Sequence, residues 1–181
     1  METIALFGGS FDPPHIGHKA IVDALLALDY IDKVVVMPTF INPFKQKTFA
    51  DGAQRVAWLR KIFQGENRVI VSTFEVDQGR KVASIESVEH LLEDYKKIFL
   101  VIGADNLDSL TKWKDFDKLS NLVEFIVASR DGINIADNYK KIVIDEPISS
   151  SILRENIQQE KLPKECVVEI ETYYKDIINE R

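Results

Sequence analysis

The 181-residue sequence carries a net charge of −6, with 45% hydrophobic and 29% charged residues. That balance suits one folded domain of ordinary size and excludes a disordered chain. The acidic excess, with both signs mixed along the sequence, disfavours extended nucleic-acid binding but leaves room for a small anionic ligand met by local donors.

Cys166 is the single cysteine, which excludes an intramolecular disulfide framework and a thiolate metal cluster. No run approaches the ~18 apolar residues of a membrane-spanning helix. The first residues read as a strand and lack the basic-then-apolar run of a signal peptide, so a cytoplasmic location is expected.

In chain order, short apolar runs rich in β-branched residues fall at 4–7, 34–37, 69–72, 99–102, 125–128 and 142–144. Each is nearly continuous in apolar character, the pattern of a strand covered on both faces. Helical stripes alternate with them: Ile16, Ala20, Ala24 and Leu28, then Ile85, Val88, Leu91, Leu92 and Tyr95. Val167, Ile170, Tyr173 and Ile177 form another near the end. The alternation predicts a mainly parallel sheet wound by right-handed crossovers. The expected fold is α/β, a single Rossmann-like doubly wound domain over residues 1–181 with helices flanking the sheet. Residues 39–48 and 134–140 read as loops.

The stretch GGSFDPPHIGH, residues 8–18, joins the first strand to the first helix. In an open α/β sheet, ligands bind at the carboxyl edge of the strands near a topological switch point. Gly8 and Gly9 let the backbone approach a ligand, and Ser10 adds a hydroxyl. A glycine turn opening onto a helix is a ready phosphate site. His15 and His18, one turn apart, add four ring nitrogens that can donate to phosphoryl oxygens when charged. Zinc is not expected there, because His90, the third histidine, lies in a later helix and zinc sites need three or four ligands.

Further along, Ser149, Ser150 and Ser151 precede a helical pattern, and Arg154 follows within its first turn. They read either as an anion site with a forked donor or as a serine cap beside a solvated arginine. Gly103 and Asp105 end another strand, where Asp105 can accept from ribose hydroxyls or cap a helix. Trp113 can stack on a flat heteroaromatic ring or belong to the core.

The H-I-G-H of residues 15–18 resembles the adenylate-binding signature of the nucleotidyltransferase superfamily. The longer GGSFDPPHIGH, ISSSILRENI (148–157) and VIGADNLDSLTKW (101–113) are together similar to the bacterial nicotinate-nucleotide adenylyltransferases. The resemblance spans essentially the whole chain. It implies a nucleotidyltransferase fold and transfer of AMP from ATP, carried with Mg²⁺, to nicotinate mononucleotide in NAD biosynthesis. It implies that His15, His18 and Arg154 serve the transfer. ATP would be met by Gly8, Gly9, Ser10, Phe11, His18, Gly103, Asp105, Ser149, Ser150 and Arg154. The acceptor would be met by Lys45, Ser84, Trp113, Lys114 and Arg130, with Trp113 against the nicotinate ring. No dedicated metal ligand is implied, and a homo-oligomer is left open.

The chain departs from the family pattern on the acceptor side. Phe44 stands where a histidine is usual, and Ala83 where an aromatic is usual, while Ser84 keeps a hydroxyl. The K-M-S-K-S loop of class I aminoacyl-tRNA synthetases is absent. Two other readings stand behind the first: a phosphopantetheine adenylyltransferase, and a non-catalytic ATP-binding regulatory protein of the same fold.

Overall fold

The computed structural model describes residues 1–129, 134–146 and 148–179. Six strands form one sheet: β1 (Thr3–Gly9), β2 (Lys33–Pro38), β3 (Val69–Val71), β4 (Lys97–Gly103), β5 (Glu124–Ser129) and β6 (Lys140–Val143). Their order is β3-β2-β1-β4-β5-β6, and every pairing is parallel. The six apolar runs of the sequence are these six strands. Strand alternation explains why each run is apolar throughout: successive side chains enter opposite faces. Ile4 and Leu6 join Val35, Ile98 and Leu100 on one face, while Ala5 and Phe7 join Val34, Phe99 and Val101 on the other.

The helices are α1 (Ile16–Leu26), α2 (Gly52–Ile62), α3 (Phe74–Asp77), α4 (Ser84–Leu91), α5 (Phe116–Leu122), α6 (Ser150–Glu155) and α7 (Val167–Asn179), with a 3₁₀ segment at Ala104–Lys112. α1, α2 and α7 cover one face through Val22, Leu25, Trp58, Leu59, Ile170 and Tyr174. α4 and α5 cover the other through Ile85, Val88 and Leu119. The sheet is therefore doubly wound, as the sequence predicts. The chain reverses direction between β1 and β4, so that gap at their carboxyl ends is the switch point.

Two helix faces differ from the sequence reading. In α1 the buried residues are Gly17, Val22 and Leu25, with Ile16, Ala20 and Ala24 only half-buried at its flank. A strict four-residue spacing drifts by about 40° per step around a 3.6-residue helix, so that stripe cannot stay on the core. Leu28 lies beyond the helix. In α7 Tyr174, one residue after the expected Tyr173, is the tyrosine that enters the core. Among the described residues no helix is long and apolar enough to cross a membrane.

Candidate active site

The β1–α1 loop is built around buried side chains that fix its backbone. Phe11 has a φ of 48°, the left-handed region that costs roughly 1–2 kcal/mol for a residue with a Cβ. Its ring offsets that cost by burial to 1% exposure, edge-on to Phe7 and His18 at 5.3 and 4.7 Å. The Phe11 ring is thus spent inside the protein, whereas the resemblance implied an ATP contact at this residue. Gly9 leaves room for that ring, since a Cβ would stand a tight 3.2 Å from it. A Cβ at Gly8 meets nothing closer than 3.8 Å, so that position opens on free space.

Asp12 is 3% exposed, and its carboxylate is engaged within the protein. Its carboxylate accepts the Phe49 and Ala50 N–H groups at 2.7 and 2.9 Å and the Tyr174 hydroxyl. It ties the loop to the 39–50 segment and to α7.

The two histidines are locked by their own Nδ1 atoms. His15 caps α1 by accepting the Gly17 N–H at 3.1 Å, and His18 Nδ1 accepts the His15 N–H at 3.1 Å. The rings stack at 3.6 Å. Gly17 leaves room for the pair, because a Cβ there would stand a tight 3.0 Å from the His15 ring. A nitrogen that accepts a backbone N–H carries no proton, so each ring is the Nε2–H tautomer. The sequence offered four donating nitrogens on charged rings; the structure leaves two Nε2–H donors on neutral ones. Burial lowers the His15 pKa to about 4. Burial and then its neighbour His15 hold His18 well below the ordinary imidazole value.

This has a consequence for stability. Unfolded histidines take up protons near pH 6.5 that the folded rings refuse, so folding weakens as pH falls through the interval from about 6.5 to about 4. His15 alone accounts for about 3 kcal/mol across that window. Urea midpoints followed from pH 7 to pH 4.5 are expected to fall more steeply for wild type than for His15→Asn, whose amide oxygen still caps Gly17. Equal slopes would remove the histidine from the account.

Arg154 is half-buried, not solvated. Its guanidinium donates to the Asp12 carbonyl at 2.5 Å and the Ser151 hydroxyl at 3.1 Å, and stacks on Phe49 at 4.7 Å. Ser149 is the helix cap, accepting from the Ile152 N–H, and Ser150 donates to the Pro13 carbonyl at 2.8 Å. α6 is thereby fastened to the β1–α1 loop. Lys45 comes to the same place: its ammonium lies 3.4 Å from the Ser10 hydroxyl, and burial and then Arg154 lower its pKa. The structure puts Lys45 beside the histidine loop, outside the lining of the cavity that collects Ser84, Trp113 and Lys114. Arg55, which the sequence did not single out, is fully buried beneath this cluster and donates to the Ala50, Ser10 and Phe40 carbonyls at 3.0, 2.6 and 3.1 Å.

Next to the loop, at the β1–β4 switch point, lies a cavity of about 340 Å³. Gly8, Gly9 and Gly103 line it, together with Ser84, Trp113 and Lys114 of the expected acceptor set. Phe44 and Ala83, the two departures from the family pattern, line it as well. Phe44 is 67% exposed, and Trp113 is half-buried against the second core. Among the described residues, two buried polar atoms of the lining residues have no protein partner, Thr39 Oγ1 and Trp113 Nε1. Such atoms are rare in folded proteins and suit a pocket that receives a polar ligand. Asp105 is outside the lining, and its carboxylate folds back over Gly103, where a Cβ would stand 2.5 Å from Oδ1. It does not cap the helix by its side chain. Arg130 lies outside the described residues.

The chain is similar to known proteins over nearly its whole length. The cytidylyltransferase-like family model matches residues 6–156. A protein of Sulfurimonas denitrificans named probable nicotinate-nucleotide adenylyltransferase is 58% identical over 176 residues, 97% of each chain. A Campylobacter jejuni protein of the same name is 46% identical over 177 residues, 96% of this chain and 97% of its own. The Plasmodium falciparum nicotinic acid mononucleotide adenylyltransferase complexed with APC has the same fold, with a TM-score of 0.74 at 18% identity over 97% and 96% of the two chains. The chain belongs to the cytidylyltransferase-like family, alongside relatives that bear the name nicotinate-nucleotide adenylyltransferase.

Proposed function

We infer that the protein transfers AMP from ATP to nicotinate mononucleotide, giving nicotinate adenine dinucleotide and pyrophosphate. One juxtaposition carries the reading. Two Nε2–H donors and the cations Arg154 and Lys45 gather on the sheet edge that also opens into the 340 Å³ cavity. The first group suits a triphosphate and the second a heteroaromatic mononucleotide.

A 5′-phosphate oxygen of the acceptor attacks the α-phosphorus of ATP in line. The new P–O bond forms as the bond to the β-phosphate oxygen breaks, and that electron pair leaves with pyrophosphate. No covalent enzyme intermediate is needed, since positioning and charge stabilisation supply most of the rate in such transfers. His15 and His18 donate from Nε2 to the phosphoryl oxygens, with His18 on the α-phosphate, while Arg154 and Lys45 hold the outer phosphates. ATP arrives as its Mg²⁺ complex, whose metal is held by the phosphates and its own water.

Pyrophosphate release from Mg–ATP at pH 7 tests this with nicotinate mononucleotide, nicotinamide mononucleotide and phosphopantetheine as acceptors. Turnover is expected with the nicotinate nucleotide well ahead of the others. Release with phosphopantetheine alone would replace the acceptor, and ATP binding with no release would reduce the protein to a nucleotide binder.

A further inference from the structure

Among the described residues, the cavity lining holds one carboxyl group, and the transfer reaction does not use it. Glu75, on α3, is 6% exposed and lines the cavity with Ser84 and Trp113. Its Oε1 accepts the Ser87 hydroxyl at 2.7 Å, and among the described residues no lysine or arginine pairs with it.

The charges around it come from each neighbouring element. On α4, Glu86 is held by Arg80 at 2.7 Å and lies 3.9 Å from Lys114. His90 on the same helix stacks on Phe74 at 4.0 Å. From the segment after β4, Lys112 and Lys114 line the same cavity. On α3 itself, Asp77 is engaged with the Thr73 hydroxyl. On the 39–45 side the cavity is lined by neutral residues, with Lys81 fastened to the Pro43 carbonyl at 3.2 Å.

We propose that Glu75 reads the 3-substituent of the acceptor's pyridine ring. As a carboxylic acid it donates a hydrogen bond to the carboxylate of an acid acceptor. As a carboxylate it repels that group and accepts from the N–H of the corresponding carboxamide. This rests on the acceptor cavity assigned above and adds a specificity-determining residue to it. Burial pushes the Glu75 pKa up to about 7, the Ser87 hydrogen bond opposes the rise, and Glu86 adds to it. The switch between the two forms therefore falls near neutral pH, and selectivity for the acid over the amide declines as pH rises.

The readout is the ratio of kcat/KM for nicotinate mononucleotide to kcat/KM for nicotinamide mononucleotide, from about pH 6 to about pH 8.5. Both acceptors share one donor and one kind of phosphate, so titrations of the histidines and the phosphates cancel in the ratio. Wild type is expected to lose roughly tenfold or more of its preference for the acid over this range, because a hydrogen bond to a charge is exchanged for like-charge contact. Glu75→Gln, which cannot ionise, is expected to hold a flat ratio. A flat wild-type ratio, or the same slope in both proteins, overturns the proposal. No turnover with nicotinate mononucleotide at any pH would instead overturn the acceptor assignment itself.

Should Glu75→Gln not fold, calorimetry of wild type in two buffers of different ionisation heat decides the matter. At about pH 8, the nicotinate nucleotide is expected to take up about one more proton on binding than the nicotinamide nucleotide does. Equal uptake overturns the proposal.

Discussion

Replacing His18 by asparagine is expected to lower kcat with nicotinate mononucleotide by roughly 10²–10³-fold while leaving the melting temperature within a few degrees of wild type. The two nitrogens of His18 have separate tasks. Nδ1 accepts the His15 N–H at 3.1 Å, which fixes the start of α1, and Nε2 carries the proton that the proposed transfer aims at the phosphoryl group. The asparagine oxygen stands near the place of Nδ1 and keeps the cap, so only the donor is lost. A donor aimed at charge that develops in the transition state acts on kcat more than on KM. His18→Gln reverses the division. Its amide N–H reaches toward the Nε2 position, but the His15 N–H is left without its acceptor, at a cost of about 1 kcal/mol. The glutamine variant should therefore be the less stable and the more active of the two. Near-normal turnover by the asparagine variant would remove the Nε2–H of His18 from the transfer step.

The sheet was legible in the sequence because a doubly covered strand has no polar face to confuse the reading. Residues 4–7 and 99–102 are apolar on both sides, and both sides are buried. The histidine loop was legible because glycines, prolines and histidines have few other reasons to meet at a strand end. What it could not show was the protonation of the rings, which depends on two backbone N–H groups turning toward Nδ1. Arg55 and Glu75 escaped for a shared reason: charged residues on short helices normally read as solvated. Arg55 did leave a trace. Gly52, Arg55, Val56, Leu59 and Ile62 form one helical stripe, and an arginine on an apolar stripe signals a buried partner. Lys45 was assigned to the acceptor by the family resemblance, and the sequence carries no sign of which way the 39–50 segment folds. The Asp12 carboxylate, by accepting the Phe49 and Ala50 N–H groups, anchors that segment beside the histidine loop.

Arg55→Met is expected to lower the unfolding free energy by about 3–5 kcal/mol and to raise KM for both substrates together. The side chain is fully buried, and its guanidinium joins three separate segments through the Ser10, Phe40 and Ala50 carbonyls. Methionine fills much the same volume, so lost packing is a small part of the change. Replacing a buried ion pair by apolar groups can be neutral because both charges leave. Here the acceptors are backbone carbonyls that no substitution removes, and each stays buried without a donor. Asp12 also loses the guanidinium that stands near it. Tyr174→Phe gives the scale, since it takes one donor from the same carboxylate and should cost about 1–2 kcal/mol. The kinetic effect follows from where the segments lie. Ser10 belongs to the loop to which the proposal assigns the triphosphate, and Phe40 leads into Asn42, Pro43 and Phe44 on the cavity wall. Once untied, the two half-sites lose their fixed separation, so ATP and acceptor should bind more weakly in parallel. Chemical denaturation and the two KM values check the pair of effects. A variant destabilised as expected but with both KM values unchanged would show that Arg55 holds the fold and not the site.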